Sequence, residues 1–226
     1  MTDEIPKPFT RTTLESEETQ IRDAILRMGS LVAERIVAAI DALETHDADA
    51  ALAVIRGDEA INALQREVST LISRTIATQQ PVARDLRFLL TLDHVAYDLE
   101  RMGDHAGSVA KQARKLAPNA SFQDSVHLPE MGRVVASQVR DVLAAVVEID
   151  EERARIVARR DDEVDDFYHR IFAATLDHMR IDPGNVDPGA RILFAAHYLE
   201  RVGDRVTNIA EDVVFLATGQ VEDLNP

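Results

Sequence analysis

The side chains best placed to do chemistry in this sequence are acid pairs four residues apart on helical stretches: Glu100 with Asp104, Glu200 with Asp204, and Asp161 with Asp165. On an α-helix that spacing stacks two side chains one turn apart on one face. Two carboxylates held in this way can surround a hard cation, and oxygen ligands suit Mg, Mn, Fe or Ca better than a structural zinc site. Asp58 and Asn62 occupy the positions equivalent to Asp161 and Asp165, so each half of the chain offers a four-residue patch if its two helices are neighbours. Asn208, one turn beyond Asp204, and Glu211 extend the second patch, where the first has Ser108 and Lys111. The neutral Asn62 weakens the first patch further. The same spacing also describes a plain solvated surface, with Arg101 and Arg201 available as ion-pair partners. Gly103 and Gly203, each enclosed by an acid pair, predict close approach by a ligand or by another helix, since a mid-helix glycine costs roughly 1 kcal/mol relative to alanine.

Other chemistry finds little support. His94, His105, His169 and His197 fall near the acids, but of these only His169 stands three residues after an acid, Asp166. No Glu-x-x-His occurs, and a ferritin-like di-iron site needs two. There is no glycine-rich phosphate loop, Walker lysine or serine nucleophile elbow.

The elements that must position the acids follow from punctuation and periodicity. Breaks near Asp47, at Gln80-Pro81, at Ala117-Pro118-Asn119, near Asp150, and from Asp182-Pro183-Gly184 through Pro188-Gly189 leave six helices. These are expected at about 14–45, 49–78, 82–116, 128–157, 159–180 and 188–217. The third is apolar at heptad positions Leu92, Leu99, Ala106 and Ala113, and at Val95, Met102, Val109 and Leu116. The sixth repeats the pattern with Ile192, Leu199, Val206 and Val213, and with Ala195, Val202, Ile209 and Leu216. Such a seam packs antiparallel helices in a bundle, and it puts the Glu-x-x-x-Asp pairs on outward positions.

The chain is also internally repeated. Met28-Gly29 returns as Met131-Gly132, and the same offset of 103 carries Val32 to Val135, Asp47 to Asp150 and Ile61 to Val164. In the last helix of each half the offset is 100, and Leu99–Asp104 (LERMGD) returns as Leu199–Asp204 (LERVGD). The expected fold is therefore all-α, two tandem three-helix bundles: an extension 1–13, a first bundle 14–117, a linker 118–127 and a second bundle 128–219.

Bulk properties bound the partners. A net charge of -15 on 226 residues argues against nucleic acid, whose backbone selects Lys/Arg clusters, and favours cations or basic protein surfaces. Without cysteine there is no disulfide and no thiolate metal site. No run of about 18 apolar residues occurs, and MTDEIPKPFT lacks the basic and apolar parts of a signal peptide, so a cytoplasmic location is expected.

Residues 80–111, QPVARDLRFLLTLDHVAYDLERMGDHAGSVAK, and 198–220, YLERVGDRVTNIAEDVVFLATGQ, resemble the two signature segments of PhoU proteins, and the similarity runs from about Leu14 to Gln220. The resemblance implies a cytoplasmic negative regulator of phosphate uptake, linking the ATPase subunit of a phosphate ABC transporter to a sensor histidine kinase. Membrane association would then be peripheral, through those partners. It implies no enzymatic activity, and it implies metal, in some members iron clusters, at Glu100, Asp104, Glu200, Asp204, Asp161 and Asp165. Iron, manganese, magnesium and zinc all remain open as the metal, and a homodimer is one option for assembly. A metal-free helical scaffold and a di-metal carboxylate oxidoreductase are the competing readings.

Overall fold

The computed structural model describes residues 11–119 and 127–225. Its α-helices are α1 (Arg11–Glu44), α2 (Ala48–Arg56), α3 (Asp58–Gln79), α4 (Arg84–Leu116), α5 (Leu128–Glu148), α6 (Glu151–Ala158), α7 (Asp161–Ile181) and α8 (Val186–Thr218). One-turn 3-10 segments at Ala117–Asn119 and Pro183–Asn185 complete the described elements, and no strand occurs among them. The six long helices form two bundles, α1, α3 and α4, then α5, α7 and α8.

The expected helix 49–78 is broken at Gly57, and the expected helix 128–157 ends at Glu148, with α6 standing apart. Each repeat thus carries a short extra helix. The break at Gly57 leaves the apolar spacing intact, and so does its counterpart at Arg160; both residues have turn-like backbone. The first bundle begins with α1 at Arg11, so residues 11–13 belong to it and not to the extension; the other extension residues and most of the expected linker lie outside the described residues.

The turns after α1 and α5 are the same structure twice. His46 (φ 55°) and Ile149 (φ 51°) adopt the left-handed conformation. The amides that follow, of Asp47 and Asp150, donate back to the carbonyls of Ala42 and Ala145, both at 3.0 Å. Closure by left-handed residues other than glycine costs backbone energy. Asp47 and Asp150 then cap the next helix, Asp47 accepting from the amides of Asp49 and Ala50, and Asp150 from that of Arg153.

All sixteen predicted seam positions of α4 and α8 are buried. Full burial of a Leu or Val stabilises by about 1.5–3 kcal/mol, so this double seam holds much of the fold. It is also where the repeats meet. α4 runs antiparallel to α8: Arg205 Nη1 donates to Asp98 Oδ1 at 3.1 Å, while His105 stacks on Tyr198 with ring centroids 6.0 Å apart. The equivalents of Asp98 and Arg205 are Tyr198 and His105, so one contact is made reciprocally with different chemistry. α1 meets α5 in the same fashion. A Cβ on Gly29 would sit 2.3 Å from Leu143 Cδ1, and one on Gly132 would sit 2.4 Å from Ile40 Cδ1. These pairs exchange under the repeat offset, as in a two-fold interface.

Candidate functional site

Each acid patch lies where the first turns of α3 or α7 cross the middle of α4 or α8. The glycines make that crossing close. A Cβ on Gly103 would lie 2.9 Å from Ile61 Cδ1, and one on Gly203 would lie 3.1 Å from Asp161 Oδ1 and 3.3 Å from Val164 Cγ1. A neighbouring helix thus supplies the close approach. Glu100 and Glu200 are not free surface residues: their side chains are only 20% and 26% exposed.

At the first face the structure adds a residue that sequence reasoning missed. Arg35 of α1 is buried, and its Nη2 lies 3.0 Å from Asp58 Oδ1. Burial pulls its pKa down, opposed by the charges of Asp58 and Asp104. Gly107 leaves room for the guanidinium, since a Cβ there would be 2.7 Å from Nη2. Asn62 donates to Asp58 Oδ2 at 3.4 Å. Arg101 reaches Asp104 Oδ2 and Glu100 Oε2, both at 3.3 Å. Burial raises the Glu100 pKa, and Asp104 and Asp58 add to it.

At the second face Gln138 stands where Arg35 stands, and its amide donates elsewhere, to the Arg160 carbonyl at 2.7 Å. Asp161, the first residue of α7, is buried. Burial pushes its carboxyl up to about 6, with added repulsion from Asp165, Asp204 and Glu200. Asp165 itself is exposed. Arg201 Nη1 lies 2.8 Å from Asp204 Oδ2, and His197 Nδ1 lies 3.2 Å from Glu200 Oε2. Asn225, in the segment after α8, donates its amide to Asp161 Oδ2 at 2.7 Å. A cleft of about 460 Å³ opens here, lined by Asp161, Arg201, Asp204, Asn208 and Glu211 among others.

Among the described residues no three Asp, Glu or His side chains converge as tightly as a metal ion needs. Arg201 and Asn225 each hold one acid of the second face, while Glu200 Oε2 lies beside His197 without accepting a hydrogen bond. The donor chemistry of that face suits a hard cation: oxygen ligands in a half-buried cleft, one of them with its pKa raised by burial first and by its neighbours in addition. The first face suits one less well, since Arg35 already supplies a positive charge.

The duplicated helical bundle with an acid face in each half defines a class of protein, and the comparisons agree with it. The model of the PhoU domain matches residues 25–113 and again 128–213. A curated relative from Clostridium acetobutylicum, named a phosphate-specific transport system accessory protein PhoU homolog, is 39% identical over 96% of this chain and 100% of its own length. A homolog of the same name from Streptococcus pneumoniae is 32% identical over 95% and 100%. The crystal structure of PhoU from Pseudomonas aeruginosa superposes with a TM-score of 0.84 at 31% identity, covering 91% of this chain and 99% of that one. The phosphate transport system regulatory protein PhoU from Streptococcus pneumoniae gives a TM-score of 0.84 at 30% identity, covering 93% and 99%. The chain belongs to the PhoU family.

Proposed function

We propose that the chain is a cytoplasmic accessory protein that restrains phosphate uptake, docking to the ATPase subunit of a phosphate transporter and to a sensor kinase, with no catalytic step of its own. The observation that carries this is the family match in both repeats together with relatives named as transport-system accessory proteins along nearly the whole chain. The absence of any helix long and apolar enough to cross a membrane among the described residues fits partners that are reached from a peripheral position. The net charge of -15 suits basic partner surfaces.

In this reading Asp161, Glu200 and Asp204, with Asn208 beside them, hold a divalent or iron cation at the second face. A bound cation would supply positive charge that offsets their mutual repulsion and changes the surface a partner meets. Glu100, Asp104, Asp58 and Asn62 hold one more weakly, because Arg35 competes. The internal partners of Asp58, Glu100, Asp104, Asp161, Glu200 and Asp204 favour a second reading, in which the faces stay metal-free and dock basic side chains directly. Elemental analysis of the purified protein after Mn or Fe reconstitution separates the two. The proposal expects metal that disappears with Glu200→Gln plus Asp204→Asn and persists with Glu100→Gln plus Asp104→Asn. Phosphate-dependent repression, scored by complementation of a strain lacking its own copy, should fall with the same pair. Wild-type repression by a protein that holds no metal would decide for the second reading.

A further inference from the structure

Gly219 (φ 79°) closes α8 in a left-handed turn, and the residues after it run back along the second acid face. Three elements hold them. Arg155 of α6 pairs with Glu222 at 2.9 Å. The Leu224 amide donates to Glu211 of α8 at 3.0 Å, with the Leu224 side chain half-buried against the core. Asn225 donates to Asp161 of α7.

The last contact is placed where it matters. Asp161 Oδ1 lies against the backbone of α8, 3.1 Å from where a Cβ of Gly203 would be. Oδ2 is therefore the oxygen left for a ligand, and the Asn225 amide occupies it at 2.7 Å. The anchorage is also light: apart from the Leu224 side chain it consists of partly exposed polar contacts, the segment has no regular structure, and Val221 is 88% exposed. Segments with few buried apolar contacts open well before the global fold does.

We propose that residues 220–225 are an autoinhibitory strap, competing through Asn225 with a divalent cation for Asp161 and released from the second face when that cation binds. Release frees Glu211, now tied to the strap, for a partner, while Arg155 keeps its pair with Glu151. This rests on the cation reading of the second face, and extends it with a device that the first face lacks among the described residues.

The test is Mn²⁺ titration by calorimetry of the full chain and of Asn225→Ala, with amide hydrogen exchange at Leu224 in both. The expected result is roughly five- to tenfold tighter Mn²⁺ binding by Asn225→Ala, the scale of one partly exposed charge-assisted hydrogen bond. In the wild-type chain, Leu224 protection should be present without Mn²⁺ and lost at saturation. Equal Mn²⁺ affinity in the two proteins, or Leu224 protection that survives saturation, overturns the strap while leaving the cation site intact. No Mn²⁺ binding by either protein overturns the cation reading, and the strap as a cation-released device with it.

Discussion

Asp58 at the first face meets a buried guanidinium; Asp161 at the second meets an amide from a light outer segment, with Gln138 turned away where Arg35 would be. The backbone frame is the same in both halves. The difference is where the compensating group comes from. At the first face it is built into the core and cannot leave without disturbing α1. At the second it comes from outside the helices, and the acid behind it keeps its raised pKa. A duplicated frame therefore carries one face that is neutralised permanently and one whose neutralisation is exchangeable.

The largest expected effect comes from giving the first face the second's residue. Arg35→Gln should cost roughly 2–3 kcal/mol in urea denaturation, below the range for a fully buried pair because the Asp58 side chain is 37% exposed, since it removes a buried cation and leaves Asp58 facing Asp104. A loss below about 0.5 kcal/mol would mean that Arg35 does not neutralise that face. Where the second face binds Mn²⁺, the same variant should add affinity at the first.

A smaller effect is expected at Asp212, whose counterpart in the first repeat is the neutral Gln112. Asp212 is pushed up to about 6, by burial first and by Asp98 and Glu211 in addition, while His94, with Nδ1 at 3.7 Å, pulls it down. The folded state binds this proton more tightly than the unfolded chain, so stability falls as pH rises from about 4 to about 6, and the full cost is present above that. Asp212→Asn should raise stability by about 1–2 kcal/mol at pH 7.5 and by little at pH 4, read from thermal unfolding at the two values. An equal gain at both would assign the effect to packing.

The smallest effect distinguishes the two glycines. Gly103→Ala presses only on the flexible end of Ile61, and its gain in helix propensity offsets the strain, so stability should change by less than about 1 kcal/mol. Gly203→Ala presses on the Asp161 carboxylate and on Val164, and should be less stable than Gly103→Ala by about 1 kcal/mol in the same denaturation series. Identical values would show that the Asp161 carboxylate moves aside freely.

Much of the frame was legible because repetition and period are carried by many residues at once. The heptad positions of α4 and α8 are all buried, and the Asp47 and Asp150 turns recur as the sequence predicts. The break at Gly57 was not legible, since a one-residue turn between two helices leaves apolar spacing undisturbed, whereas its counterpart at Arg160 lies close to the boundary expected between 157 and 159. Arg35 was hidden for a related reason: it is a single charge within the apolar stripe of Val32, Ile36 and Ala39, and only its depth reveals that it must pair. Asn225 was beyond reach because its role depends on where a non-periodic segment folds back. The acid pairs themselves could be found by spacing alone, but not which of them carries its own counter-charge.

The reciprocal contacts of Gly29 with Leu143 and Gly132 with Ile40 are those that two identical chains would make about a dyad. In a dimer of identical subunits any substitution appears on both sides at once, so neither side can be tuned alone. Here the halves share one chain, and a change in one need not be repeated in the other. Arg35 and Gln138 show that freedom in use: a covalent link in place of a symmetric assembly lets one half become fixed while its twin stays responsive.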